Sequence, residues 1–123
     1  MLNNISVVII VKDGGKTINA TLSALSQFSD VVVYDNGSTD DTIEIANKFH
    51  NVNLVQGDFT GFGPTKNKAT TYAKNDWILI LDSDEVADEN FVNHLKSQHL
   101  DNQSVYMVNM VSYYKDVRVK YSG

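Results

Sequence analysis

Asp82 and Asp84 are the residues whose type and spacing most directly suggest chemistry. They stand at alternate positions after the apolar run Trp77-Ile78-Leu79-Ile80-Leu81, and Glu85 follows. Two carboxylates so placed suit a hard divalent cation. Mg²⁺ in particular is usually held by one or two carboxylates together with substrate phosphates. The apolar run itself reads as a strand buried on both faces, as in a parallel sheet covered by helices. Ligands of open α/β sheets gather outside the carboxyl ends of such strands. A cation held there neutralises charge that develops on a departing diphosphate. A lone Asp-X-Asp is a weak signal; its position at a buried strand tip strengthens it.

Two more strand ends are polar. One run closes at Val11-Lys12-Asp13, another at Asp35-Asn36. Parallel strands put their carboxyl ends on one edge, so groups distant in sequence converge there. Asp35 occupies the position from which an acidic residue often reads a nucleotide, accepting hydrogen bonds from base or ribose. The bland reading is a turn former or helix cap. Lys66 falls in the first turn of an expected helix, where the helix dipole disfavours a cation. That points to an anion such as phosphate, or else to plain solvent exposure. His50, His94 and His99 have no ligand spacing and read as surface residues. Tyr106, Tyr113 and Tyr114 read as packing, and Glu85 as a support for Asp84 or a cap.

The elements that must hold these residues alternate. Ile5–Val11 is an apolar, β-branched strand. Ile18, Leu22, Leu25 and Phe28 recur at helical spacing. A second strand covers 31–34, and Ser38 with Asp41 three residues on resembles a capping box for the next helix. That helix turns Ile43, Ala46 and Phe49 inward, and a short strand covers 52–55. A glycine-containing loop follows, then a helix with Pro64 at its first position and Ala69, Tyr72 and Ala73 inside. Beyond the Asp82 strand, a helix from about Asp88 buries Phe91, Val92 and Leu95, and strands are expected over 104–111 and 113–121. The pattern βαβαβαβαβ predicts an α/β domain, a mostly parallel sheet with helices on both faces.

Bulk properties narrow the function. The 123 residues allow one domain with a real core. Hydrophobic content of 42% and charged content of 20% fit an ordinary soluble protein. No apolar run approaches the roughly 20 residues of a membrane span, and Met1-Leu2-Asn3-Asn4 lacks the basic region of a signal peptide. The absence of cysteine excludes disulfides and thiolate metal sites and fits the cytoplasm. A net charge of −5 makes nucleic acid a poor partner. The cluster Lys115, Arg118 and Lys120 reads as a solvated strand face, with an anionic membrane surface as the alternative contact.

Four segments in order carry a family resemblance. They are Ser6–Lys12, Val33–Thr42 with Asp35-Asn36-Gly37-Ser38, Gly61–Ala69 with Gly61-Phe62-Gly63, and Asp76–Glu85 with Asp82-Ser83-Asp84. Over residues 5–120 the chain resembles the family 2 glycosyltransferases, which have the Rossmann-like GT-A fold. The Gly-Phe-Gly loop and the Asp82–Glu85 ending look most like the bacterial lipopolysaccharide-core β-1,4-glucosyltransferases. The resemblance implies sugar transfer from a UDP-sugar to a saccharide or lipid-linked acceptor, with inversion and with Mg²⁺ or Mn²⁺. It implies nucleotide contacts for Val11, Asp13, Asp35 and Lys66, and metal–diphosphate binding for Asp82 and Asp84. Work at the inner membrane face of the cytoplasm follows from that role.

Two departures from the family pattern stand out. Asp13-Gly14 replaces the usual Asn-Glu. The family is about twice this long, so the chain is expected to be the donor-binding half, single-domain over 1–123, with the catalytic base beyond residue 123. An edge strand exposed by such truncation favours pairing with a second copy. The alternatives are a non-catalytic nucleotide-sugar-binding module of the same fold and, remotely, a signalling receiver domain. A receiver needs an acidic pair after the first strand and a phosphorylated Asp at the end of the third; Lys12-Asp13-Gly14 and the loop residue Asp58 do not supply them.

Overall fold

The apolar runs become the inner strands of a single sheet in the computed structural model, which describes residues 2–96, 106–109 and 119–120. The order is β1 (Leu2–Val11), α1 (Ile18–Ser23), β2 (Phe28–Asp35), α2 (Thr42–Ala46), β3 (Val52–Gln56), α3 (Phe62–Thr70), β4 (Trp77–Asp82), α4 (Glu89–Lys96), β5 (Tyr106–Asn109) and β6 (Val119–Lys120). In space the strands run β3-β2-β1-β4-β5-β6. The first five are parallel, and β6 pairs antiparallel with β5. The expected mostly parallel sheet is therefore present. The winding moves outward from β1 through β2 to β3, then crosses back to β4. That reversal opens a crevice between the carboxyl ends of β1 and β4.

Register places the expected residues along this edge. Val11 pairs with Asp35, Asp35 with Gln56, and Ile10 with Asp82. Side chains alternate across the sheet. One face sets Val7, Ile9, Val33, Leu79 and Leu81 against α1, α2 and α4. The other sets Val8, Val32, Tyr34 and Ile78 against Ala69 of α3 and half-buried Ala73. Among the described residues helices thus cover both faces, three on one side and α3 on the other. Phe91, Val92 and Leu95 of α4 are buried as expected; full burial of such a side chain contributes about 1.5–3 kcal/mol.

Four local expectations change. Phe28 is buried but opens β2 instead of closing α1. Leu25 and Phe28 make a tight turn, their carbonyls accepting the Asn51 side-chain amide at 3.0 and 2.9 Å. The helical spacing reported a shared core position, not a shared element. Pro64 is the third residue of α3, not the first; its missing N–H still falls among those with no intrahelical partner. Lys66 accordingly moves into the second turn, where the dipole argument weakens. Tyr72 lies beyond the end of α3 and is exposed. In α2, Ile45 packs on the core beside Phe49, while Ile43 is half-buried.

His50 is exposed and His94 half-buried. His99, Tyr113, Tyr114, Lys115 and Arg118 lie outside the described residues. Among the described residues no helix is long and apolar enough to cross a membrane.

Candidate active site

Three loops meet at the carboxyl edge: backbone donors and side-chain acceptors lock the first two together, and threonine hydroxyls tie the third to them through a backbone carbonyl. The β2–α2 loop is built around Asp35, which is fully buried. Asp35 Oδ2 accepts the amides of Gly37 (3.1 Å) and Ser38 (2.9 Å), and Oδ1 accepts the Ser38 hydroxyl. Gly37, at φ +97°, supplies the left-handed turn this requires. The turn-former reading of Asp35 is thus correct at the level of local structure. Three of about four acceptor positions on its carboxylate are already used.

Ser38 does not cap α2 as its spacing suggests. Its hydroxyl oxygen accepts the Asp13 amide at 2.7 Å, and Asp13 Oδ1 accepts the Thr39 amide at 2.7 Å. Asp13 sits at φ +54°, where Asp is among the tolerated residues. The return link is Asp40, whose Oδ2 accepts the Gly15 amide at 2.9 Å while Oδ1 accepts Thr42 N–H and O–H. The Thr42 hydroxyl, then the Thr42 and Gly15 amides, hold the Asp40 carboxyl below its ordinary pKa. The β1–α1 and β2–α2 loops are therefore clipped reciprocally by two aspartates. Asp13, expected to line the nucleotide pocket, has one oxygen committed to this clip.

Gly14 lies close against the end of β1. A Cβ at position 14 would stand 2.6 Å from Val11 Cγ2. At position 15 it would stand 2.0 Å from Asp41 Oδ1. At position 14 the obstacle is a packed valine methyl, whereas at position 15 it is the carboxylate end of exposed Asp41, which can turn aside.

The β4–α4 loop completes the edge. Asp82 and Asp84 are exposed, Ser83 half-buried. Glu85 folds back so that its Oε1 accepts the Asp82 amide at 2.8 Å, while the Glu85 amide donates to the Asp82 carbonyl at 3.1 Å. Burial raises the Glu85 pKa, and the Asp82 and Asp84 carboxylates push it further up; the Asp82 amide opposes both. Glu85 supports the turn through Asp82, where the sequence suggested Asp84 or a cap.

Among the described residues no group of three or more His, Cys, Asp or Glu forms a closed metal cage. Two exposed carboxylates instead fit a cation that takes its remaining ligands from a diphosphate and water.

Strand alternation separates the carboxylates. Asp82 leaves β4 on the face of Ile78 and Ile80, which α3 covers; Asp35 leaves β2 on the face of Val31 and Val33. Val11 is buried on the Asp35 side. Lys66 is half-buried near the start of α3, which begins just past the carboxyl end of β3 and so lies at the same edge. It stands three residues before Ala69, on the same side of α3.

Two participants, Thr17 and Thr21, had no sequence signal, and Asn36 was marked only as part of a polar strand end. Thr17 and Thr21 of the α1 region donate their hydroxyls to the Ser83 carbonyl. Asn36 Oδ1 is a buried acceptor without a donor, although the Asn36 amide is bonded to the Val11 carbonyl at 2.9 Å.

Known proteins resemble this chain in sequence and fold. S. aureus TarS (residues 1–349), solved in complex with UDP-GlcNAc, superposes with a TM-score of 0.68 and 26% identity over 76% of this chain and 30% of that one. An uncharacterized glycosyltransferase of Rickettsia prowazekii is 28% identical over 119 residues, 93% of this chain and 40% of its own length. The glycosyltransferase GlyG of Streptococcus pneumoniae is 31% identical over 103 residues, 76% of this chain and 34% of its own length. The chain thus spans about 40% or less of these relatives. The Glycosyl transferase family 2 profile matches residues 6–123, and the chain belongs to that family.

Proposed function

We propose that this chain forms the donor-binding part of a glycosyltransferase that uses a UDP-sugar together with Mg²⁺ or Mn²⁺. The observation that carries the reading is the exposed Asp82-Ser83-Asp84 turn, held at the strand-order reversal of a family 2 fold. The bound UDP-GlcNAc of the TarS complex, a protein with 26% identity, supports UDP as the nucleotide. The orphan acceptor of Asn36, beside Asp35, suits a donor group of base or ribose.

In this reading Asp82 and Asp84 offer carboxylate oxygens toward the diphosphate. A divalent cation bound there supplies charge neutralisation for the departing UDP. Lys66 adds a positive charge at the same edge, and Val11, Asp13 and Asp35 shape the floor under the nucleoside. An acceptor hydroxyl attacks the anomeric carbon as its proton passes to a general base, that carbon inverts, and the C–O bond to UDP breaks. The acceptor is a saccharide or a lipid-linked saccharide. The finer assignment is a lipopolysaccharide-core glucosyltransferase working at the cytoplasmic membrane face. It draws support from the Gly61-Phe62-Gly63 loop and the Asp82–Glu85 ending.

Calorimetric titration of UDP with and without Mn²⁺ tests the donor site. The expected result is binding that tightens by about tenfold or more when Mn²⁺ is present, a gain of about 1.4 kcal/mol. No binding in either condition would leave the family membership as a statement of fold and ancestry alone.

A further inference from the structure

We infer that Thr17 and Thr21 are positioning residues for the diphosphate-binding turn, acting through the carbonyl of Ser83. The inference rests on the donor-site reading above and adds to it a specific structural dependence.

The Thr17 hydroxyl donates to Ser83 O at 2.9 Å and the Thr21 hydroxyl donates to the same atom at 2.8 Å. Each hydroxyl has one proton and a competing local acceptor. For Thr17 this is Gly14 O at 3.4 Å, and for Thr21 it is Thr17 O at 3.3 Å. In both cases the long-range acceptor is nearer by about half an ångström, so Ser83 takes the proton. The two threonines are four residues apart, which puts them on one side of the α1 turn. A carbonyl oxygen has two lone pairs, and here both are filled by α1.

The consequence reaches the carboxylates through covalent geometry. The Ser83 carbonyl lies in the same rigid plane as the Asp84 amide and its Cα. Fixing that oxygen fixes the plane from which Asp84 projects. Glu85 fixes the other end of the turn at Asp82. The turn is therefore held from outside by α1 and from within by Glu85, which sets the relation of Asp82 to Asp84. A flexible pair of carboxylates would bind a cation only after an ordering cost. Thr21 is fully buried, and this bond satisfies its hydroxyl.

The test compares wild type, Thr17→Val with Thr21→Val, and Thr17→Ser with Thr21→Ser in UDP titrations with and without Mn²⁺. Valine keeps the shape and removes the hydroxyl; serine keeps the hydroxyl. The valine pair is expected to lose about tenfold of the Mn²⁺-dependent enhancement and keep its metal-free UDP affinity. The serine pair is expected to restore the enhancement. Exposed Thr17 gives a single Thr17→Val variant that reads the same effect at smaller size if the pair does not fold. Full Mn²⁺ enhancement in a folded valine variant, or no rescue by serine, overturns the inference and leaves the donor site standing. No Mn²⁺ enhancement in wild type overturns the donor-site reading and this inference with it.

Discussion

The two edges of the sheet both carry aspartates, and they treat them in opposite ways. At the amino edge Asp30 is buried at 3% exposure. Its Oδ2 accepts the Ser6 hydroxyl at 2.6 Å and the Lys74 amide at 2.8 Å. Ser6 Oγ in turn accepts the amide and side chain of Asn75. This cluster ties β1, β2 and the α3–β4 connection together. At the carboxyl edge Asp82 and Asp84 are exposed, and the bonds around them hold the backbone of the turn. A buried carboxyl group enclosed by local donors serves the fold. Carboxylates held in place yet open to water at a strand-order reversal are the ones proposed to serve a ligand. Asp35 belongs to the second edge by position and to the first by environment, so it connects the two roles.

The largest effect on stability is expected at the amino edge. Asp30→Ala leaves the Lys74 amide and the Ser6 hydroxyl without their acceptor in a buried site. Each such loss costs about 1–3 kcal/mol. A total near 3 kcal/mol lowers Tm by about 10 °C. Thermal unfolding followed by circular dichroism measures it. Metal-dependent UDP binding by the folded fraction is expected to stay near the wild-type value. A loss of that binding with unchanged Tm would break the division between the edges.

A smaller, pH-dependent effect is expected at the clip between the loops. The hydrogen bonds from Thr42 and Gly15 lower the Asp40 pKa in the folded state. A lowered folded pKa gives stability that is present above the unfolded value. It is lost as pH falls through the folded one. Asp40→Asn removes the charge and keeps an acceptor. Its Tm deficit is therefore expected to be steady from neutral pH down to about pH 4 and to close below that. A deficit that is flat through pH 3 would mean that the charge on Asp40 contributes nothing to the clip. Because Asp40 is fully exposed, salt is expected to shrink the effect.

How far the sequence anticipated these edges depends on the kind of signal. The strands were legible because fully buried parallel strands are long apolar runs, as in Ser6–Val11 and Trp77–Leu81. The carboxyl-edge residues were legible because strand ends in a parallel sheet share an edge whatever their separation in the chain. Short-range partner choice was not legible. Ser38 had the spacing of a helix cap, yet the Asp35 carboxylate of its own turn and the Asp13 amide of another captured its hydroxyl. Asp30 read only as the residue before a strand, since nothing local reveals that Ser6 will stand beside it. Thr17 and Thr21 look like ordinary residues of a short helix, and only the fold brings Ser83 to them. Phe28 misled in the opposite direction, since helical spacing and a tight turn place a side chain in the same core.

The smallest stability effect, and the sharpest separation of the edges, is expected for Asp84→Ala. Asp84 is exposed, and its like-charged neighbours Asp82 and Glu85 make its removal electrostatically neutral or mildly favourable. Surface substitutions of this kind usually stay within about 0.5 kcal/mol, so Tm is expected to move by no more than about 2 °C. UDP binding in the presence of Mn²⁺ is expected to fall to its metal-free level, because one of the two exposed carboxylates of the turn is gone. Asp30→Ala and Asp84→Ala would then be mirror images, one losing the fold and keeping the site, the other keeping the fold and losing the site. Unchanged Mn²⁺-dependent affinity in Asp84→Ala would defeat the metal assignment. It would move the ligand toward Asp35, Asn36 and Lys66, where the same titration on Lys66→Ala reads the charge contribution.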